Sequence, residues 1–388
     1  MDIVIFSHPS YLNSKSMPKY VSWLESGLKN RGHSVQILTS KPLFYRLPAT
    51  GKVKKWLGYI DQFLIFPLTL KLKYFPENSL FVFSDQALGP WVPFFSNKNH
   101  VIHCHDFLAL HSALGYIEEN PTSTTGRIYQ KYIRSGFRKG KNFICVSNKT
   151  KIDLYKSLVS TPKISEVVYN GLTLKFKPIN DIEISRAKLA LEISIDVSKG
   201  YILHVGGNQW YKNRQGVIEI YDFWRGQTEL KLPLILVGSF PNNILLEVYE
   251  NSSFKNDIYF LSGKSDKFLI RIYSCATAFL FPSIAEGFGW PIAEALASGV
   301  PVITTNAEPM TEVGGNAVFT IPRRPSKNSE LSLWKKECAL VLNDVMNLSL
   351  KERNIVVEKG INNVRRFDSE LALNYIESIY QMILSKNS

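Results

Sequence analysis

The chain has 388 residues, 45 % hydrophobic and 20 % charged, which argues against a disordered, collagen-like or repeat protein and suggests two or three domains. Its charge is uneven: residues 1–180 hold 24 basic and 10 acidic side chains, whereas residues 181–388 hold 22 and 23. The excess of 14 positive charges in the first part indicates an anionic partner for that part alone, either nucleic acid or a membrane surface.

The four cysteines show neither CxxC pairing nor zinc-ligand spacing, which predicts a reduced, cytosolic protein without a structural metal. The opening MDIVIF is too short for the apolar core of a signal peptide, so we interpret it as a strand. Asp61 and Pro67 interrupt the most hydrophobic stretch, residues 56–72, which is too short to span a membrane. We interpret it as a buried core helix, with a helix lying in the membrane surface as the alternative.

Short apolar runs alternate with segments of helical periodicity along the chain. Strands are predicted at 2–7, 34–39, 80–84, 100–103, 142–146, 164–169, 201–205, 234–237, 258–261, 278–281, 301–304 and 317–320. Helices are predicted at 19–31, 54–72, 127–138, 150–158, 214–221, 242–249, 266–275, 291–298 and 369–384, the last with an apolar face of Ile376, Ile379, Tyr380 and Ile383. This alternation predicts an α/β protein with two doubly wound parallel sheets of about six strands each.

Residues 281–305, FPSIAEGFGWPIAEALASGVPVITT, form the first candidate site. A strand ends near Phe281, and a Gly-Phe-Gly turn leads into a helix with Pro291 near its start. Glycines let the backbone approach a ligand, and free N–H groups at a helix start suit phosphate or sugar oxygens. Glu286 and Glu294 either contact two parts of one polar ligand or are glutamates favoured at a loop and a helix start.

Residues 201–221, YILHVGGNQWYKNRQGVIEIY, form the second candidate site. A strand again runs into glycines, Gly206 and Gly207, and then into a polar loop before a helix. The pattern is neither GxGxxG nor a P-loop. Lys212 and Arg214 near the helix start indicate a phosphate site, with two solvated basic side chains as the alternative.

His105 and Asp106, which follow the strand at 100–103, form the third candidate site. Histidine is suited to orient or deprotonate a hydroxyl near neutral pH, although a histidine at a strand end is often structural. Nothing else in the sequence supports a metal site at this pair.

Two basic sets in the first part point to an anionic membrane. One set lies on a single face of the helix at 127–138 and consists of Arg127, Lys131, Arg134 and Arg138. The default interpretation of this set is a solvated face. The other flanks the apolar stretch: Lys52, Lys54, Lys55, Lys71 and Lys73. Near an anionic membrane each such residue contributes about 1 kcal/mol.

Together these stretches resemble the GT-B-fold glycosyltransferases, specifically the retaining enzymes of glycosyltransferase family 4 (glycosyl transferases group 1). Residues 286–294 match the E-x7-E motif of that family in both glutamates and in spacing. VGGNQWYKN is similar to the VGRxxPEKN of the family, HDF resembles its His-Asp site, and VVYNGL resembles the entry to its second domain. The resemblance extends over nearly the whole chain.

The resemblance implies two Rossmann-like domains that face a cleft. Residues 1–180 would bind the acceptor, completed by a C-terminal helix at 368–388 that crosses back to this domain, and residues 181–367 would bind the nucleotide sugar. The implied reaction moves a hexose from a GDP- or UDP-linked donor to a hydroxyl of a lipid-linked or polysaccharide acceptor. It needs no cofactor and no metal. The expected location is the cytoplasm, at the inner membrane face, as in lipopolysaccharide and polysaccharide synthesis.

The resemblance also assigns roles by position. Lys212 would hold the diphosphate, Glu294 the ribose, and Glu286 the donor hexose, while His105 would lie near the reacting sugar. The other residues expected around the donor are Gly206, Gly207, Asn208, Arg214, Gly263, Gly287, Phe288, Gly289, Trp290, Lys15 and Ser16.

Two positions depart from the family pattern. The arginine that usually follows VG is replaced by Gly207, and the glycine pair near the phosphates is replaced by Lys15-Ser16. We expect Lys15 or Arg214 to supply the missing cation. The departures keep two alternatives open: a GT-B-fold sugar-nucleotide epimerase and a degenerate protein that binds sugar nucleotides without catalysis. An RNA-binding protein has no motif in its favour.

Overall fold

The computed structural model describes residues 1–12, 16–173 and 175–385 of the chain. They form two compact units: Met1–Gly171 with the C-terminal segment from Ser369 onward, and Leu172–Asp368. Each unit holds one six-stranded sheet in which every described strand pairing is parallel. The predicted α/β class with two doubly wound sheets is therefore confirmed.

The strands of the first unit follow the spatial order β2-β1-β3-β4-β5-β6. Strands β3, β4 and β5 are buried throughout, as expected for central strands covered by helices on both faces. Their bounds are β1 (Asp2–Phe6), β2 (Ser34–Leu38), β3 (Leu80–Phe83), β4 (His100–Cys104), β5 (Asn142–Cys145) and β6 (Ile164–Val167).

Among the described residues, six α-helices lie between these strands, and a π-helical turn at Asp61–Ile65 joins the second to the third. A 3-10 segment at Gln86–Phe95 follows β3. The helices are α1 (Ser16–Asn30), α2 (Gly51–Ile60), α3 (Phe66–Lys71), α4 (Leu108–Ala113), α5 (Thr124–Phe137) and α6 (Asn148–Ser157).

The second unit has the strand order β12-β11-β10-β7-β8-β9. Its strands are β7 (Ile202–Gly206), β8 (Leu234–Gly238), β9 (Ile258–Ser262), β10 (Ala278–Phe281), β11 (Val302–Thr305) and β12 (Val318–Ile321). Its helices are α7 (Ile182–Ile193), α8 (Arg214–Arg225), α9 (Asn243–Glu250), α10 (Asp266–Ser274), α11 (Trp290–Ala297), α12 (Met310–Gly314), α13 (Asn328–Met346) and α14 (Leu350–Val364).

The last helix, α15 (Ser369–Ser385), returns to the core of the first unit. The predicted apolar face is confirmed: Ile376, Ile379 and Ile383 pack against strands and helices of that core. A buried polar relay also ties the helix in place. The His103 ring lies between two hydroxyls, 2.6 Å from that of Tyr20 on α1 and 2.8 Å from that of Tyr380 on α15.

The boundary between the units lies earlier than the expected position after residue 180. The Leu172 N–H donates to the Phe367 carbonyl at 2.9 Å, and the Ser274 hydroxyl donates to the Lys177 carbonyl at 3.0 Å. Leu172 and Lys177 therefore pack with the second unit, because their backbone groups find their partners there. Helix α7 begins shortly afterwards, where the sequence shows no helical periodicity.

The prediction of a buried core helix at residues 56–72 is only partly right, because one face of this segment is buried and the other is exposed. Gly58, Gln62, Phe66 and Leu70, spaced four apart, face the core. The opposite face exposes large apolar side chains: Val53, Trp56, Leu64, Leu68 and Leu72. Among the described residues, no helix has the combination of length and hydropathy that spanning a bilayer requires.

The basic face of α5 is only partly solvated, which corrects the default interpretation. Arg134 and Arg138 each donate from Nε to the Ser157 carbonyl, at 3.2 and 2.7 Å. They hold α6 to α5 from within the unit. Lys131 stays exposed.

Candidate functional site

Each sheet has one point where the strand order reverses, and open α/β sheets bind ligands at the carboxyl ends of the strands beside that point. In the first unit the reversal lies between β1 and β3, and in the second it lies between β7 and β10. Pairs of charged or titratable side chains meet at both points.

Lys212 and Glu286 meet at the reversal point of the second sheet. Lys212 follows β7 and Glu286 follows β10, and the Lys212 ammonium donates to Glu286 Oε1 at 2.8 Å. The Ser283 hydroxyl donates to the same oxygen at 2.6 Å. The two charged side chains are only 15 % and 8 % exposed. A cation and a carboxylate thus share one sheltered position where a ligand is expected.

The loops that carry this pair are cross-linked by Asn213. Its left-handed backbone, with φ of 50°, ends a 3-10 turn and caps α8: its Oδ1 accepts from the Gly216 N–H at 3.1 Å. Its Nδ2 donates to the Pro282 carbonyl at 2.8 Å, across to the loop after β10. The Ile284 N–H donates to the Tyr211 carbonyl at 2.7 Å. Backbone geometry therefore fixes the position of Lys212.

Arg214 is buried rather than solvated, with 4 % of its surface exposed. One guanidinium nitrogen donates to Asn208 Oδ1 and, at 2.9 Å, to the Ser239 carbonyl. Burial lowers its pKa to about 10, so it is charged at neutral pH. Its Nε and Nη2 have no hydrogen-bond partner among the described residues. Arg214 orders the loops after β7 and β8 and adds positive charge beneath them.

The predicted turn from Glu286 into α11 uses the conformational freedom of one of its two glycines, Gly289. Gly289 has φ of 104°, a left-handed value that favours glycine, and directly precedes α11. Phe288 is buried and packs edge-on against Phe367 at 5.3 Å. Glu294, one turn into the helix, is half-buried. Burial, together with the Glu294 carboxylate, holds the pKa of Tyr273 well above its usual range.

The other predicted donor residues fall at strand ends as well. Gly206 ends β7 and Gly207 follows it, while the exposed Gly263 follows β9. Close approach of β7 and β8 explains a further glycine: a Cβ on Gly238 would lie 1.9 Å from the Gly206 carbonyl oxygen. Gly287 and Trp290, which follow Glu286 in the sequence, are both half-buried. In the first unit Ser16 is the exposed first residue of α1, and Lys15 lies outside the described residues.

His105 follows β4 in the first unit and is held in one tautomer. Its Nε2 lies 2.9 Å from the Ser84 carbonyl, which can only accept, so the proton is on Nε2 and the lone pair on Nδ1. Its backbone N–H donates to Gln86 Oε1 at 2.9 Å. Burial lowers the pKa of His105, although the Asp85 carboxylate opposes this shift. The ring is therefore neutral at pH 7.

His8 and Asp85 were not among the predicted site residues, yet they meet at the reversal point of the first sheet. His8 follows β1, Asp85 follows β3, and His8 Nε2 lies 2.9 Å from Asp85 Oδ2. Burial alone would raise the pKa of Asp85, but the hydrogen bond and the electrostatic attraction from His8, together with the Ala87 N–H, lower it. The Asp85 carboxylate accepts from His8, so this hydrogen bond places a proton on His8 Nε2 and fixes the orientation of the ring.

The two units thus offer different chemistry. The first has the neutral ring of His105, whose Nδ1 can accept a hydrogen bond, together with the His8–Asp85 pair, which suits the orientation of a hydroxyl. The second has a lysine, a buried arginine and a helix start, which suit an anion, and two glutamates, which suit sugar hydroxyls. Within residues 1–12, 16–173 and 175–385 no group of three His, Cys, Asp or Glu side chains is arranged to hold a metal ion.

Comparison with known proteins gives this chemistry a context. Residues 186–330 match the family Glycosyl transferases group 1. The O-antigen chain mannosyltransferase B of Escherichia coli is 28 % identical over 187 residues, which are 48 % of this chain and 46 % of that protein. The chain spans about half the length of the curated O-antigen mannosyltransferases that it matches.

Solved structures resemble the whole chain. Sucrose-phosphate synthase from Thermosynechococcus elongatus has a TM-score of 0.77 at 16 % identity and covers 100 % of both chains. The Anabaena protein HepE, solved in complex with UDP and glucose, has a TM-score of 0.71 at 16 % identity and covers 98 % of this chain and 100 % of its own. At these identities the likeness shows the fold alone, and the predicted GT-B fold is confirmed.

The chain thus carries a glycosyltransferase group 1 domain, and both glutamates, Lys212 and Arg214 lie inside it. At the level of this domain, the prediction of a transferase enzyme is confirmed. The retaining course of the reaction, the donor and the role of each residue stay predictions.

Proposed function

We propose that this chain is a retaining glycosyltransferase that moves a hexose, mannose or glucose, from a GDP- or UDP-linked donor to a hydroxyl of a lipid-linked or polysaccharide acceptor. The observation that carries the proposal is the Lys212–Glu286 pair, 2.8 Å apart at the reversal point of a sheet inside the matched glycosyltransferase domain. The O-antigen mannosyltransferase among the relatives supports mannose, and the UDP and glucose bound to HepE support a UDP-linked donor.

The Lys212–Glu286 ion pair suggests how the nucleotide-sugar donor binds. A diphosphate carries more negative charge than one carboxylate and competes with Glu286 for the Lys212 ammonium. When Lys212 turns to the diphosphate, the Glu286 carboxylate becomes free to accept hydrogen bonds from hexose hydroxyls. Glu294 accepts from the ribose hydroxyls, and the N–H groups at Phe288 and Gly289 lie beside the hexose.

The reaction needs negative charge to be stabilised on the leaving diphosphate, since that charge grows as the bond to the hexose breaks. In the proposed front-face course, the leaving diphosphate takes the proton of the acceptor hydroxyl as the new bond forms on the same face. Lys212 and the charge of Arg214 supply the stabilisation. A metal ion is not needed in this proposal, because these cations and the start of α11 take its place.

The acceptor side lies in the first unit, where His8, Asp85 and His105 orient the hydroxyl that attacks. The net positive charge of residues 1–180 and the exposed apolar face of residues 53–72 support a location at an anionic membrane surface. Mannosyl or glucosyl transfer to a precursor of lipopolysaccharide or another polysaccharide is consistent with both features.

A thermal-stabilisation screen of nucleotide sugars tests the donor assignment. We expect one GDP- or UDP-linked hexose to raise the unfolding temperature, because a ligand at 100 times its dissociation constant adds about 2.7 kcal/mol. The same ligand should stabilise the protein equally in EDTA. Stabilisation by none of the panel would contradict the proposal. Incubation with the donor alone identifies an epimerase by a new epimer, and NMR of the glycoside product distinguishes retention from inversion.

Asp85→Asn tests the acceptor side. Asparagine can still accept from the Ala87 N–H, as Asp85 does at 2.8 Å. Its amide nitrogen, however, faces His8 Nε2 as a donor. A hydrogen bond there requires the lone pair on His8 Nε2 and the proton on Nδ1. We expect kcat/KM for the acceptor to fall about tenfold while donor binding is unchanged.

Glu377→Gln is the matched control. Glu377 accepts from His33 at 2.7 Å in the same unit, but His33 directly precedes β2 and so lies at the amino edge of the sheet. An equal decrease in kcat/KM for the acceptor in the two variants would show that His8 and Asp85 do not belong to the acceptor site.

A further inference from the structure

A large apolar groove lies in the first unit. Its volume is about 630 Å³, within the range of small-molecule sites, and it lies between the segment 52–64 and α5. We call it the aromatic groove and define it by the apolar side chains that line it: Trp56, Tyr59, Phe63, Leu64, Ile128 and Tyr129.

Aromatic contacts give the aromatic groove a preformed wall. Tyr59 stacks on Tyr129 with ring centroids 5.1 Å apart, and Phe63 meets Tyr132 edge-on at 5.5 Å. These contacts join α2 and the π-helical turn that follows it directly to α5. The groove is therefore part of the folded unit rather than a gap between loose segments.

The outer edge of the groove exposes apolar surface that the fold does not cover. Trp56, Leu64 and Ile128 are 61 %, 58 % and 65 % exposed. Leu68 and Leu72 extend this surface along the same helical face. Continuous exposed apolar surface of this kind marks a binding site in a soluble protein.

The groove is also lined by positively charged side chains. Lys52 and Lys55 line it, and the Lys55 ammonium lies 5.6 Å from the Tyr59 ring centroid. Residues 41–73 contain seven basic side chains and one acidic one, Asp61. Asp61 is fully buried, where its oxygens accept from the backbone N–H groups of residues 43–45. The groove therefore combines an apolar channel with cations that no exposed acid of this segment offsets.

We propose that the aromatic groove binds the hydrocarbon chain of a lipid whose phosphate or diphosphate lies against Lys52 and Lys55. An amphiphile with an apolar chain and an anionic head matches both features at once. This inference rests on the proposed function in one respect: the bound lipid is the acceptor, and its phosphate carries the sugar that is extended. The groove then selects a lipid-linked acceptor over a free polysaccharide.

Farnesyl phosphate, a soluble fifteen-carbon isoprenoid phosphate, is the probe for the test. Its titration should change the tryptophan fluorescence of the chain, and Trp56→Phe should remove the change, because Trp56 is the tryptophan that lines the groove. We expect farnesol to bind more weakly, and inorganic phosphate to leave the fluorescence unchanged. Lys52→Gln and Lys55→Gln should each weaken farnesyl phosphate binding about fivefold and leave farnesol binding unchanged.

Ile128→Glu places a charge in the groove, and Ile152→Glu is its matched control. Both isoleucines lie on helices of the first unit and are 65 % and 52 % exposed, so neither change threatens folding. Ile128→Glu should raise the dissociation constant of farnesyl phosphate at least tenfold, whereas Ile152→Glu should not change it. Both variants should keep the thermal stabilisation by the nucleotide sugar.

Three outcomes would overturn the inference. The first is equal binding of farnesyl phosphate to both variants. The second is binding to phosphatidylglycerol vesicles that depends on Ile128 without binding of farnesyl phosphate, since the groove would then be a general membrane-docking surface. The third is a dimer that Ile128→Glu converts to a monomer, since a second copy would then cover the groove. If farnesyl phosphate binds but no nucleotide sugar does, the proposed function and the acceptor role fail together, and the lipid site remains.

Discussion

Lys212→Ala is expected to lower kcat for glycosyl transfer by about 100- to 1,000-fold, the usual effect of removing one preorganised group that stabilises developing negative charge. The ammonium is placed by a 3-10 turn, by the Asn213 cap of α8 and by the ring of Phe281, 5.1 Å away. Water entering the space of the side chain cannot reproduce a charge held in that position. The measurement is single-turnover transfer at saturating donor and acceptor.

A second effect must be separated from catalysis, because Lys212→Ala also leaves the buried Glu286 without its cation. We expect this variant to lose about 1–3 kcal/mol of stability in the absence of donor. The double variant Lys212→Met/Glu286→Gln removes both charges and should regain most of that stability. It should not regain activity. Recovery of activity along with stability would show that the pair is structural and has no catalytic role.

Lys255→Ala is the matched control for the single variant. Lys255 pairs with Glu250 at 2.9 Å in the same unit, but both side chains are largely exposed, and neither lies at a predicted site. Exposed pairs contribute little to stability, so kcat and the unfolding temperature should stay near those of the unmodified protein. A loss of activity equal to that of Lys212→Ala would point to the overall charge of the unit as the cause.

The sheets were predictable because each strand is a short apolar run bounded by turn residues. All twelve predicted strands form. The central strands were the easiest to find, because parallel strands buried on both faces show this directly in the sequence. The position of Lys212 and Glu286 was predictable for the same reason: both follow strands. Their direct contact was not, because the neighbour relation of β7 and β10 arises from a chain reversal that no local pattern records.

The missed features depend on contacts between distant residues. His8 and Asp85 each follow a predicted strand, so applying the strand-end rule to every strand would have marked them, but their 2.9 Å contact joins positions 77 residues apart. The burial of Arg214 depends on Asn208 and Ser239 meeting around it. The apolar stretch at 56–72 has enough hydrophobic residues for two faces, and composition does not tell which face the core covers.

Acidification is expected to destabilise both units through one buried histidine in each. His103 in the first unit and His204 in the second are fully buried, and burial lowers the pKa of each to about 3 from an ordinary value of 6.5. Since the folded-state pKa lies below the unfolded value, each neutral ring contributes stability above pH 6.5 that is lost as the pH falls toward 3. The loss is about 1.4 kcal/mol per pH unit for each histidine.

His103→Gln tests this in the first unit, and Tyr20→Phe is its control. Glutamine keeps a donor and an acceptor between Tyr20 and Tyr380 but does not titrate, so the free energy of unfolding should fall less steeply between pH 6 and 4. Tyr20→Phe removes the hydroxyl 2.6 Å from His103 and leaves the titrating ring, so it should lower stability at every pH without changing the slope. Equal slopes for His103→Gln and the unmodified protein, measured by urea unfolding across this range, would contradict the assignment.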